Sequence, residues 1–366
     1  MYKVKDYMTS GLLYANNLFR PHHKQLSQLM IYATTACQSR CRHCSIWKKP
    51  HEHLALEDIV RVMQSRCVKP YTTVGLEGGE FILHPQAESI LDWFAHHHRN
   101  YTLLSNCLLP DRLIDYTVRF HPKHLYLSLD GDRNTYITMR GCDGYSRVID
   151  VIEALAGKVP ISLMFCLSPW NSFRDMEYVI RLARQYRIDV RIGIYGTMAF
   201  FDTDANLLSA DDFSSKIPAA IHQTNENYDY VALYPQWRNG HLRLPCLSIR
   251  SQAVIHAGGN VPLCQNLDCV LGNIHSQSFD DIWNSTAVCK MQRQYGKSCN
   301  ECWINFHRKY DIILLRSLER VMPKGLIEKM VGPYKWCEDS KKTYRQFFNV
   351  RSHEIRTYTS FPSPQG

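Results

Sequence analysis

The chain has 366 residues, 45% of them hydrophobic, with 14 cysteines and a formal net charge of +9. That length and apolar content suit one large domain with a smaller companion and exclude a chain disordered throughout. The opening "MYKVKDYMTSGLLYANNLF" has no apolar signal core and no run of 18 apolar residues occurs, so a cytosolic protein without a membrane span is expected.

Residues 1–28 read as a lead segment. From residue 29, short β-rich runs alternate with helical patterns: strands are predicted at 29–35, 71–77, 101–105, 124–130, 161–167 and 189–195. Helices are predicted between them, at 54–65, 145–155 and 173–186 among others. "HHH" (96–98) closes a further helix, where histidines suit the C-terminal dipole better than a metal. The alternation implies an α/β domain over 29–235 whose mostly parallel sheet is buried on both faces and carries its ligands at the C-terminal strand ends.

The first predicted strand runs into "CQSRCRHC", which supplies Cys37, Cys41 and Cys44. In a reducing compartment such clustered cysteines read as metal ligands or catalytic thiols. Iron–sulfur clusters usually take four thiolates, so three leave one iron of a 4Fe–4S cube open, and an open metal position is where chemistry occurs. The alternative is a zinc site completed by His43 or a distant residue. "LEGGE" ends the second strand with Gly78, Gly79 and Glu80, and Ser105 and Asn106 end the third. The fourth ends in "LSLDGD", with Ser128 and Asp130, and "YITMRG" follows with Arg140.

Composition changes near 235–245, and 236–305 reads as a small metal-stabilised module. It holds Cys246, Gly259 and Cys264, then a "GNI…IW" segment, then Cys299 and Cys302 in "CNEC". Four thiolates complete the coordination of one closed cluster; zinc is the non-redox alternative. Cys269, Cys289 and Cys337 are spare thiols. Residues 306–366 read as a basic helical tail, with helices at 310–322 and 323–331 and a disordered end. From Trp303 onward there are 12 Lys and Arg against 6 Asp and Glu. A solvated basic face is the simpler reading; an anionic partner or peripheral membrane contact is the functional one. No aromatic module for nucleic acid accompanies the charge, so nucleic acid is not expected.

Together these motifs resemble the radical S-adenosylmethionine (radical SAM) superfamily, with a C-terminal auxiliary-cluster domain of SPASM/Twitch type. The resemblance spans roughly residues 29–305 and implies a partial (βα)6 TIM-type barrel. It implies that Cys37, Cys41 and Cys44 hold a 4Fe–4S cluster whose open iron is chelated by SAM, and that the reduced cluster cleaves SAM to a 5′-deoxyadenosyl radical that abstracts a substrate hydrogen. It also implies a SAM site: His43 against the adenine, Gly78 and Gly79 for close backbone approach, Glu80 for the ammonium, and Arg140 for the carboxylate. Ser105, Asn106, Ser128 and Asp130 are further candidates for SAM or substrate. Cys246, Cys264, Cys299 and Cys302 match the one-cluster form of the auxiliary domain. Where this chain departs from the pattern, Phe81 replaces a frequent proline and His43 a frequent aromatic.

A closed cluster beside a radical site suggests oxidation (dehydrogenation), with epimerisation as the other outcome. Oxidation requires a base to take the hydroxyl or amine proton, and Asp130 is, with Cys142, a catalytic candidate. Epimerisation requires a hydrogen donor such as Cys142 or Cys166. With 28 residues before the first strand, a peptide-recognition domain is not expected there, so a carbohydrate-like or anionic small molecule is the expected substrate. Peptide maturation is the alternative, followed by RNA modification or a non-catalytic iron–sulfur scaffold. A flavodoxin or ferredoxin is the expected electron donor.

Overall fold

The computed structural model describes residues 4–196, 198–203, 226–319 and 322–335. The segment expected as a lead is a helix, α1 (Val4–Phe19). The six expected strands follow: β1 (Gln28–Thr34), β2 (Thr73–Gly78), β3 (Tyr101–Ser105), β4 (His124–Ser128), β5 (Ile161–Leu167) and β6 (Asp189–Ile194). Between them lie α2 (Leu56–Met63), α3 (Ala87–His97), α4 (Pro110–Phe120), the pair α5 (Arg133–Arg140) and α6 (Tyr145–Leu155), and α7 (Phe173–Gln185). After α8 (Glu226–Arg238) come β7 (Gln252–Ile255), the hairpin β8 (Asn260–Pro262) and β9 (Val270–Asn273), and α9 (Phe279–Trp283) to α12 (Lys324–Val331) by way of α10 (Thr286–Ser298) and α11 (Asn305–Leu318).

The main sheet has the order β6-β5-β4-β3-β2-β1-β7, with every neighbouring pair parallel. It curls into a half-barrel of seven strands. The seventh, β7, comes from the segment expected to form a separate module and pairs with β1 from Gln28↔Gln252 to Ile31↔Ile255. The two parts of the chain therefore share one sheet.

Side chains alternate along each strand, and the two faces differ. On the convex face Leu29, Ile31, Val74, Leu76, Leu125 and Leu163 are fully buried against the helices. Each helix answers with apolar residues at three- and four-residue spacing, as Val148, Val151, Ile152 and Leu155 do on α6. Burying each such side chain contributes about 1.5–3 kcal/mol. The concave face is different: Gln28, Thr73, Glu77, Thr102, Ser128 and Arg191 open on a cavity. The sheet is covered on both faces, and because the half-barrel encloses a ligand space its inner side keeps polar groups.

α3 ends at His97 as expected, with His96 and His97 each bonding the carbonyl four residues earlier through Nδ1. The basic tail stands differently. Residues 336–366, with Cys337, lie outside the described residues. Arg308, counted in the basic excess, is fully buried on α11. No helix among the described residues is long and apolar enough to cross a membrane.

Candidate active site

The cysteine loop leaves β1 at Thr34 and is fastened on two sides. On one side Gly79 N donates to Thr34 O at 2.7 Å and Glu80 N to Ala36 O at 2.8 Å. On the other, Arg40 N and Arg42 N donate to the carbonyls of Arg140 and Met139, at 3.0 and 2.9 Å. Those carbonyls belong to the last turn of α5, where a helix has no acceptor partners of its own, so the loop serves as its cap.

The glycines of "LEGGE" are required by this contact. Gly78 has φ +155°, and a Cβ there would lie 2.3 Å from Thr34 O; at Gly79 it would lie 2.3 Å from Ala36 O and 2.6 Å from Thr35 O. The close approach is to the cysteine loop itself. Gly79→Ala forces that loop away, at a cost of about 1–3 kcal/mol. Its expected outcome is a lower thermal midpoint and loss of the iron held by this loop, read by unfolding and iron assay.

Cys37, Cys41, His43 and Cys44 open together on a cavity of about 390 Å³, a size suited to a small ligand. Burial pushes the Cys37 and Cys44 thiols up to about 12, and the Cys41 charge acts on both. Two nitrogen donors approach the sulfurs: Asn106 Nδ2 stands 3.8 Å from Cys37 Sγ, and Arg140 Nη1 3.7 Å from Cys41 Sγ. Donors aimed at sulfur suit anionic thiolate ligands. A single zinc ion needs its ligands to converge on one point. A cubane instead spreads its thiolates over separate irons.

The other expected residues divide into those on the cavity wall and those behind it. His43, Gly78, Gly79, Glu80, Ser105, Asn106, Ser128 and Arg140 are on the wall. Burial lowers His43 to about 4, so its ring is neutral, and its Nδ1 has no partner among the described residues. The Glu80 carboxylate accepts from Ser105 Oγ at 2.9 Å, Asn106 N at 2.8 Å and Ile82 N at 3.4 Å, and burial still pushes it up to about 7. Asp130 lies behind the wall. It is fully buried, one oxygen accepts from Arg140 Nε at 2.6 Å and the other from Cys166 N at 3.1 Å. Burial works against the charge of Arg140, but Asp130 and the Cys41 sulfur outweigh it and raise its pKa. Asp130, a catalytic candidate from the sequence, thus faces Arg140 and the β5 backbone rather than the cavity. Cys142 is likewise absent from the wall, because it sits in the turn after α5; Cys166, on β5, is present.

The second cysteine set gathers beside this cavity. Cys264 feels the charges of Cys302 and Cys299, and Cys246 that of Cys302, which places the four in one neighbourhood. A cation that the sequence reading missed fastens it. Arg308 Nε donates to Cys302 O at 2.9 Å and Nη1 to Leu244 O at 2.9 Å, and Nη1 lies 3.2 Å from Asp311 Oδ2. Of the spare thiols, Cys289 Sγ donates to Pro21 O, whereas Cys269 Sγ lies against Met291 Sδ and packs on the apolar cluster of Cys246, Ile249 and Leu263. Gln265, next to Cys264, donates to Tyr32 Oη at 2.6 Å and lines the cavity, as do Ile304, Asn305 and Phe306 just after Cys302.

A sequence profile of the radical SAM superfamily matches residues 31–183, and one for the SPASM iron–sulfur cluster-binding domain matches 246–303. No curated protein sequence matched the chain. Among solved structures, SuiB of Streptococcus suis bound to S-adenosylmethionine superposes with a TM-score of 0.59 at 14% identity, over 81% of this chain and 75% of that one. SuiB bound to its precursor peptide SuiA gives 0.61 at 13%, over 84% and 76%. anSMEcpe with bound AdoMet and the Cp18Cys peptide gives 0.53 at 15%, over 90% and 99%.

Proposed function

Since the chain belongs to the radical SAM superfamily and carries a C-terminal SPASM iron–sulfur domain, we propose that it oxidises a small hydroxylated or aminated molecule, carbohydrate-like in character, with its second cluster taking up the electron. One observation carries this reading: Gln265 and Ile304–Phe306, the neighbours of Cys264 and Cys302, line the same cavity as Cys37, Cys41 and Cys44. A substrate in this cavity would therefore touch residues next to both cysteine sets.

The cluster with bound SAM supplies a 5′-deoxyadenosyl radical; the protein supplies position. Cys37, Cys41 and Cys44 hold three irons. Glu80 has three donors for about four lone-pair sites, so it keeps one for the SAM ammonium, which would hold it ionised. Arg140, fixed by Asp130, offers its remaining N–H groups to the carboxylate. The neutral His43 ring would take the adenine, and Ser128 the ribose. Cys246, Cys264, Cys299 and Cys302 complete the second cluster. A flavodoxin or ferredoxin supplies the first electron.

The fold likeness to SuiB holding its precursor peptide favours peptide maturation as the second reading. The test uses full-length reconstituted protein with SAM and dithionite, offered glucosamine, myo-inositol or a cysteine-containing peptide. The expected result is 5′-deoxyadenosine, increased by one of the small molecules, and a product two hydrogens lighter. A response to the peptide alone replaces the first reading by the second, and intact clusters without 5′-deoxyadenosine end both. Run in D₂O, oxidation leaves no deuterium on the product carbon. Epimerisation adds one from an exchangeable thiol, and Cys166→Ala would then abolish it.

A further inference from the structure

One carboxylate of the cavity wall is outside the set assigned above to SAM. Glu77 follows Thr73 and Gly75 on the concave face of β2, and all three open on the cavity, while Val74 and Leu76 point into the convex core. Gly75 clears room beside it: a Cβ there would lie 2.6 Å from Met30 Sδ and 3.5 Å from Glu77 Oε1. Three donors converge on Glu80 and two on Asp130. Glu77 has no hydrogen-bond partner among the described residues. Half-buried on the cavity wall, a carboxyl group without a protein partner is biased towards its neutral form until a ligand pairs with it. Burial alone pushes Glu77 up to about 7, the range in which a carboxyl group exchanges protons best at neutral pH.

We propose that Glu77 is the base of this enzyme, accepting the proton of the hydroxyl or amine borne by the carbon that loses its hydrogen atom. This rests on the oxidation reading above. The bookkeeping of atoms closes: the C–H hydrogen atom leaves to the deoxyadenosyl radical, the O–H or N–H proton goes to Glu77, and the remaining electron goes to the oxidised auxiliary cluster as the C=O or C=N bond forms. The substrate class follows, because a molecule with neither hydroxyl nor amine on the reacting carbon has nothing to give Glu77. The other ionisable groups lining this space are Tyr32, Glu80, Tyr126, Arg140, Cys166, Arg191 and Tyr195, together with His43 and the three cysteines of its loop, Cys37, Cys41 and Cys44. Glu80 is also raised to about 7, so only a substitution at Glu77 assigns a pH limb to it.

Two measurements test the proposal. Dicyclohexylcarbodiimide, which labels neutral carboxyl groups in apolar surroundings, is applied to the reconstituted full chain one pH unit below and one above neutrality, followed by peptide mapping. Labelling at Glu77 that weakens at the higher pH is expected, and its absence overturns the proposal whether or not a substrate is known. The second measurement is product formed per 5′-deoxyadenosine, on the probe that supports turnover. In the wild type it rises with pH through about 7, because the carboxylate is the active form. Glu77→Gln lowers it about 10²-fold and removes that limb, and Glu77→Asp restores part of it. A Glu77→Gln protein with wild-type yield and profile overturns the base role, while a Glu77→Gln protein that fails to fold hands the test to Glu77→Asp, whose unaltered limb would do the same. Failure of the wild type to make 5′-deoxyadenosine is a separate result that removes the radical reading and leaves the labelling to judge Glu77.

Discussion

A Cys37→Ala protein is expected to make no 5′-deoxyadenosine and to keep about half of its iron, about four atoms per chain where the wild type holds about eight. The two cysteine sets have separate supports, which is why half should survive. The loop of Cys37 rests on Gly79, Glu80 and the end of α5. The other four cysteines rest on β8, α10, α11 and the Arg308 clamp, and no hydrogen bond found among the described residues joins the two sets of sulfurs. Cys37 is also the thiol approached by Asn106, and burial first, then its neighbours Cys41 and Cys44, push it up. Iron assay, visible absorbance and chromatography of the nucleoside check the result. Cleavage of SAM by the alanine protein, or loss of all iron, would refute the division into one open and one closed cluster.

The barrel was legible because its strands are short, β-branched or aromatic, and separated by amphipathic helices; β3 and β5 begin and end where alternation alone puts them. The cysteine spacings were legible because ligand sets sit on loops of fixed length. What escaped were contacts between residues far apart in the chain. β7 has only four residues, too few for a periodic signal, and its pairing with β1 crosses more than two hundred residues. Asp130 lies at the end of β4 like a ligand residue, but whether it faces the cavity or turns to Arg140 depends on the loop after the strand. Glu77 could have been found. It shares the parity of Thr73 and Gly75 on β2, and a carboxylate inside a half-barrel is a departure from the apolar pattern of its strand. Arg308 could not: among twelve basic residues near the C-terminus nothing local marks the one that turns inward.

That arginine gives the second large effect. Arg308→Met should strip the auxiliary cluster, leaving about four irons per chain, all at the SAM-binding loop. The guanidinium and the Asp311 carboxylate are both fully buried, and removing one member of such a pair costs about 3–5 kcal/mol because the other is left uncompensated. Burial already pushes Asp311 up to about 7 with Arg308 pulling the other way, so without Arg308 it takes a proton and loses its charge. The carbonyls of Cys302 and Leu244 lose their donor at the same time, and these flank ligands from opposite ends of the domain. Arg308→Lys keeps the charge but not the planar fork that reaches both carbonyls, so it should recover stability more than iron. Pairing Arg308→Met with Asp311→Leu removes the buried charge and should restore the thermal midpoint while the iron stays low. A double variant that regained the cluster would show that Arg308 serves only to neutralise Asp311. Low iron at a normal midpoint would show that it fastens the ligands.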